Sequence, residues 1–164
     1  MDETTRSQRG QKWLQSLLKL SGLPAKVQAQ AAPPFWEETC WLVIDDEHLT
    51  PEQVAILTGA NGNVIDSIQY LANTILNLGV SPEEQGAFTV DLAGYREQRY
   101  AELRVIADSA ADRARETEQE VELKSLSAAE RRQVHTILKE SPDLETYSRG
   151  QEPDRRLVVR LIQH

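Results

Sequence analysis

The sequence is short of the residues that most enzyme chemistry needs. Its 164 residues include one cysteine, Cys40, and one methionine. An intramolecular disulfide is excluded, as is any CxxC zinc pair, and the usage points to a reducing compartment. Aromatics make up 5% of the chain, too few for a broad base-stacking platform. No apolar run approaches the roughly 18 residues of a membrane-spanning helix. The opening MDETTRSQRG lacks the apolar core of a signal peptide. A cytoplasmic protein with no membrane insertion is expected. The three histidines, His48, His135 and His164, are far apart, and none has HExxH or His/Cys ligand spacing. No GxSxG elbow and no GxxxxGK phosphate loop occurs. Cys40 stands beside Trp41 in an apolar run and reads as core. The acidic pairs Glu37-Glu38 and Asp45-Asp46 read as solvated loop carboxylates. These absences point to a non-enzymatic protein with no metal and no cofactor.

What is present suffices to fold. The chain is 40% hydrophobic and 27% charged, and its length suits one ordinary domain or two small ones. The net charge of −8 is unevenly spread. Residues 1–93 hold 5 Lys/Arg and 12 Asp/Glu, a net of −7, whereas residues 94–164 carry a net of −1 and most of the arginines. Such a protein is a poor non-specific polyanion binder, so any nucleic-acid site must be a local patch.

The periodicities give an ordered set of elements. Trp13, Leu14, Leu17 and Leu18 have helical spacing within 7–21, closed by Gly22 and Pro24. AKVQAQ (25–30) and CWLVID (40–45) suit two strands of a hairpin with a long loop. Thr50, Pro51 and Gln53 form a capping box that opens a short helix ending at Gly59. A longer helix runs from Asn63 to about Asn77, with Ile65, Ile68 and Ala72 on its apolar face. AFTVDL (87–92) is a third strand. Helix 95–117 has a narrow stripe of Leu103, Ile106, Ala107, Ala110 and Ala114, and reads as a hinge between two halves. VELKSL (121–126) is a strand. The box Ser127-Ala128-Ala129-Glu130 opens a helix that Ser141-Pro142 stops. Two last strands, 144–148 and 157–162, flank the polar turn RGQEPDRR. The mixture of elements and hairpin-type connections indicates an α+β fold with mostly antiparallel sheets.

Two stretches carry candidate chemistry. Gly59-Ala60-Asn61-Gly62 joins two helices. Free amides at the start of the second helix attract anions, and the glycines admit a close-lying backbone. GxxG alone is also an ordinary tight turn between helices. AERRQVH (129–135) places Arg131 and His135 one helical turn apart, beside an apolar face of Val134, Ile137 and Leu138. Arg132 and Lys139 extend this into a half-exposed cationic ridge suited to phosphates. Three other readings compete: a histidine satisfied by a carbonyl, an Arg131 paired with Glu130, Glu145 or another acid, and an ordinary solvated face.

The order strand, short helix, GxxG, long helix, strand is that of a K-homology (KH) domain. LTGANGNVIDSIQYLANTILN resembles the type II KH domain of the Jag family (SpoIIIJ-associated, KhpB-like proteins). The match lies in Gly59, Gly62, the segment 66–71 and Asn77. Where the family commonly has basic residues between the glycines, this chain has Ala60 and Asn61. The region 120–162 resembles the R-3-H domain of the same family. It shares Glu130-Arg131-Arg132, His135, Glu145-Thr146-Tyr147-Ser148, Gly150, Glu152-Pro153 and Arg155-Arg156. DLAGYREQR (91–99) is similar to the family's inter-domain junction, so the resemblance spans roughly residues 10–162. No segment resembling the family's N-terminal Jag domain precedes it, and a protein lacking that domain is expected.

The resemblance implies two small modules. Residues 1–93 would form a type II KH-like α-β-β-α-α-β domain, and 94–164 an R-3-H domain of three antiparallel strands and two helices. It implies binding of single-stranded RNA, or ssDNA, through Arg131 and His135. Charge and position add Arg132, Lys139, Arg149, Arg155 and Arg156, and the loop adds Gly59, Ala60, Asn61 and Gly62. A KH-protein partner or a homodimer is a further expectation. The alternative is a protein-interaction adaptor that keeps this fold but has little RNA affinity, which the net −7 of residues 1–93 and the neutral GxxG loop favour.

Overall fold

A computed structural model of the chain describes residues 3–23, 25–34, 36 and 39–162. Pro24, the Glu37-Glu38 pair and His164 lie outside the described residues. The chain divides into two compact units, Met1–Arg96 and Glu97–His164.

The first unit runs α1 (Glu3–Leu20), β1 (Val27–Gln30), β2 (Cys40–Ile44), α2 (Pro51–Thr58), α3 (Asn63–Leu76) and β3 (Phe88–Leu92). This is the α-β-β-α-α-β order read from the sequence. The three strands lie in the order β1-β2-β3. β1 and β2 pair antiparallel, Val27 opposite Ile44, as a hairpin requires. β3 pairs parallel to β2, Cys40 opposite Phe88 and Ile44 opposite Leu92, so this sheet is mixed. The two helices between β2 and β3 supply the long crossover that a parallel pair needs. Leu14 and Leu18 of α1, Ile65, Ile68 and Ala72 of α3, and Leu42, Ile44, Val90 and Leu92 of the sheet form one core.

The outer edge of β3 is closed by side chains rather than by another strand. Gln69 and Asn73 on α3 and Asn77 at its C-cap are spaced four apart, so their amides share a face. Asn77 accepts from Gly86 N–H and donates to Gly86 C=O. Asn73 does the same at Phe88, at 2.9 and 2.8 Å. Gln69 accepts from Val90 N–H at 3.0 Å. Arg96, buried, donates to Val90 C=O at 3.0 Å and to Asp66 at 2.6 Å. These edge groups thus have partners of strand-like geometry, which reduces the hazard of an open strand.

The second unit contains most of α4 (Tyr95–Thr117), then β4 (Val121–Leu123), α5 (Ala128–Leu138), β5 (Leu144–Arg149) and β6 (Arg156–Leu161). Its sheet has the order β4-β6-β5 and is antiparallel throughout. The strand expected over 121–126 stops at Leu123; Ser125 has φ 61°, which breaks the extended run, and Leu126 turns inward. The predicted capping box at α5 forms, with Ser127 Oγ accepting from Glu130 N–H and Glu130 accepting from Ser127 N–H. Leu103, Ala107, Ala110 and Ala114 of α4 pack with Val134, Ile137 and Leu138 of α5 over Leu157 and Val159. The small residues of α4 keep that helix close to its neighbours.

Candidate functional site

A cluster of cationic side chains lies within the second unit, where α5 meets β5 and β6. A cleft of about 310 Å³ is lined by Ala128, Arg131, Arg132, His135, Thr146, Tyr147, Ser148, Arg155 and Leu157. Four predicted site residues, Arg131, Arg132, His135 and Arg155, meet there. The last comes from the RGQEPDRR turn.

Their roles differ. Arg131 is 5% exposed, not half-exposed as the ridge reading had it. At about 100° per residue Arg131 stands at the edge of the arc that Val134, Ile137 and Leu138 bury, and contacts with Leu126 and the 150–155 turn take it out of solvent there. The guanidinium donates to Leu126 C=O at 2.7 Å and to Arg155 C=O at 3.2 Å, and forms an ion pair with Glu152. One planar fork thus ties the start of α5 to the 150–155 turn. Glu130, one of the two acids expected beside Arg131, instead accepts from Arg99 Nε at 2.7 Å. His135 is half-buried, and its Nδ1 is hydrogen-bonded to Thr146 Oγ1 on β5. Arg132 and Arg155 are exposed at the cleft. The cleft can therefore offer a phosphate two exposed guanidinium groups and an imidazole held in place from behind.

Lys139, Arg149 and Arg156 do not line this cleft. Lys139 is exposed at the C-cap of α5. Arg149 and Arg156 are directly opposed across β5 and β6, so their side chains share a sheet face. That face also holds Glu145, Tyr147, Arg160 and Glu122, by the same alternation. There every arginine meets acid. Arg149 bonds Glu120 at 2.6 Å and Glu122 at 3.0 Å. Arg156 bonds Glu122 at 2.7 Å, and Arg160 bonds Glu145 at 2.6 Å. The Tyr147 ring lies between Arg149 and Arg160, 5.4 and 5.2 Å from the two guanidinium carbons. The hydrogen bond from Tyr147 and the Arg149 guanidinium hold the Glu120 carboxyl below its usual range. Arg156 and then Arg149 do the same for Glu122. The face is a charge-balanced lattice.

In the first unit, Gly59, Ala60, Asn61 and Gly62 form a single 3-10 turn between α2 and α3. Gly59, Asn61 and Gly62 all have positive φ, 74°, 53° and 78°. Gly62 is buried, and a Cβ there would overlap the Tyr95 hydroxyl. Its glycine identity is accounted for by packing. Ala60 and Asn61 are exposed. The N-terminus of α3 has no side-chain cap, which leaves its first amides to solvent or a ligand.

Sequence reasoning allowed an acid other than Glu130 and Glu145 beside Arg131 without singling out Glu152, and it missed Thr146 as the partner of His135. Both lie in segments already singled out, but their contacts depend on how the β5–β6 hairpin sits against α5. Among the described residues, no group of three or more His, Cys, Asp or Glu could hold a metal ion. No described helix is long and apolar enough to cross a membrane.

The arrangement around α5 defines an R-3-H domain: residues 101–161 match that family. The chain is 31% identical over 114 residues to the RNA-binding protein KhpB of Clostridium symbiosum, covering 70% of this chain and 50% of that protein. It is 30% identical over 114 residues to the RNA-binding protein KhpB of Bacillus subtilis strain 168, covering 68% and 54% respectively. To the protein of the same name from Lactiplantibacillus plantarum it is 32% identical over 104 residues, covering 63% and 32%. The chain spans about half the length, or less, of these curated relatives. It is a homologue of the KhpB-like, or Jag, family.

Proposed function

We propose that this chain is a non-enzymatic, cytoplasmic RNA-binding protein that holds single-stranded RNA, or ssDNA, chiefly by its phosphates. The carrying observation is the cleft beside α5, which gathers Arg132, Arg155 and His135 over the buried Arg131 within the R-3-H domain. The name of the relatives points the same way. Arg132 and Arg155 make the outer phosphate contacts, and His135 adds an imidazole beside them. Arg131 acts as a strut that positions the 150–155 turn. Lys139 strengthens the local field, while Arg149 and Arg156 are largely neutralised by Glu120 and Glu122. The Gly59–Gly62 loop contributes backbone amides without charge. Sequence readout is weak, because the cleft presents guanidinium groups and few aromatic faces. In this reading the functional modules are 1–93, KH-like, and 94–164, R-3-H.

The test is fluorescence anisotropy of a labelled, unstructured RNA at two salt concentrations, with wild type and Arg132→Ala/Arg155→Ala. Salt-sensitive binding that weakens in the variant supports the cleft. Absence of wild-type binding at low salt rejects RNA binding.

A second reading, a protein-interaction adaptor with little RNA affinity, is favoured by one specific observation. Leu71, Ile75 and Leu78 form an exposed apolar stripe along α3 and just beyond it, 42%, 42% and 68% exposed, beside Tyr70. Under that reading a KH-protein partner or a second copy would cover the stripe, and purified protein would carry a polypeptide rather than RNA.

A further inference from the structure

The cations of residues 1–93 are placed in two ways. Residues 1–93 contain two arginines and three lysines. The arginines are part of the packing: Arg9 donates to Leu76 C=O at 3.0 Å, and the Nε of Arg6 is buried. The lysines, Lys12, Lys19 and Lys26, all line one cleft of about 580 Å³, with their side chains at the surface. Lys12 and Lys19 are seven residues apart on α1, two turns and about 10.5 Å along one face. Lys26 enters from the chain leading into β1, and His48 from the loop after β2. Leu23 and Ala25 give the cleft apolar lining.

Among the described residues, no carboxylate lines this cleft, and the three ammonium groups have no hydrogen-bond or ion-pair partner. Asp46 and Glu47 flank His48 in the loop and are exposed. In a unit with twelve acids, an ordinary surface would intersperse the two signs. Here three lysines are gathered instead around one cleft with no acid among its lining. A helix C-terminus favours Lys19 alone and leaves Lys12 and Lys26 unexplained. None of residues 59–62 lines the cleft, so it is separate from the GxxG loop.

We propose that this cleft is a second phosphate-binding surface, through which the acidic first unit holds the backbone of single-stranded RNA. The inference rests on RNA binding by the chain. The lysines contact non-bridging phosphate oxygens as point charges, and the apolar lining accepts a ribose or base edge. The neutral Ala60-Asn61 loop then need not supply the charge of this unit.

The experiment measures salt dependence of RNA binding by the full chain: wild type, Lys12→Gln/Lys19→Gln/Lys26→Gln, and the same three positions changed to arginine. None of the three side chains is part of the core, so folding should be unaffected, which thermal melts verify. A single strand loses about 0.7 in the log–log salt slope per phosphate contact. The glutamine variant is expected to lose about 2 from the slope, and the arginine variant to keep it. If wild type binds and the glutamine variant retains the full slope, the cleft proposal is overturned while RNA binding stands. Lack of wild-type binding overturns both. Inorganic pyrophosphate, titrated into isotope-labelled protein, separates the sources. Amide shifts at residues 19–26 with pyrophosphate but not with RNA would reassign the cleft to small phosphates and overturn the proposal.

Discussion

The two sides of the R-3-H sheet use the same residue type for opposite ends. On the α5 side, Arg131 is buried and spends its donors on backbone carbonyls and Glu152, while Arg132 and Arg155 stay exposed at a cleft. On the open side, Arg149, Arg156 and Arg160 are matched by Glu120, Glu122 and Glu145. Counting arginines therefore says little about where a phosphate can bind. What matters is where the tertiary structure places each one and which groups it meets, since an exposed ion pair presents almost no net field beyond a Debye length of about 8 Å.

The largest effect expected is on stability. Arg131→Ala removes a buried guanidinium from a solvent-exposed Glu152 and leaves two carbonyls short of a donor. It should cost about 2–3 kcal/mol, read by urea unfolding of the full chain, whereas Arg160→Ala on the open face should leave the midpoint nearly unchanged. An Arg131→Ala variant as stable as wild type would end the distinction between strut and contact. Next, Arg132→Ala/Arg155→Ala should weaken RNA binding about tenfold and lower the salt slope by about 1.4, with no change in unfolding. A smaller effect sharpens the comparison from the other side. Glu120→Gln/Glu122→Gln leaves Arg149 and Arg156 under-neutralised, and should raise RNA affinity about threefold at low salt and not at high salt. Unchanged affinity at low salt would mean that RNA does not approach the open face.

The smallest effect is the pH dependence of that face. The carboxyls of Glu120 and Glu122 are held below their ordinary value by Tyr147, Arg149 and Arg156, and that of Asp143 by Arg115. The folded state thus binds fewer protons than the unfolded state as the pH drops. The resulting stabilisation is present above about pH 4.5 and is lost as the pH falls through the lowered folded values. Thermal melts should be flat from about pH 7 to 5 and decline below that. A midpoint that rises on acidification would contradict the lattice.

Much of the architecture was legible in the sequence. The helix read over 95–117 from its narrow apolar stripe is α4, Tyr95–Thr117. The starts of α2 and α5 follow from capping boxes, which are local chemistry. The two strands of the last hairpin follow from alternation around a polar turn. Within the candidate site, the meeting of Arg131 with His135 was legible because both lie on one helix. That Arg155 joins them while its neighbour Arg156 turns away was not. Arg155 stands in the turn just before β6 and Arg156 is the strand's first residue, so the path of the turn and the β5–β6 register decide which side each takes. The amides of Gln69, Asn73 and Asn77 were visible as a polar spacing of four, but their purpose appears only beside the edge of β3.

By itself, then, the sequence determined the helices, strands and turns, because periodicity, caps and turn residues act over a few neighbours. It also determined the surplus of acid in the first unit and of arginine in the second. Tertiary structure alone decided which arginines are struts, which are neutralised and which stand at a cleft, and gathered three lysines from α1 and the approach to β1. Those assignments depend on desolvation and on partners distant in sequence, and neither quantity exists until the chain has packed.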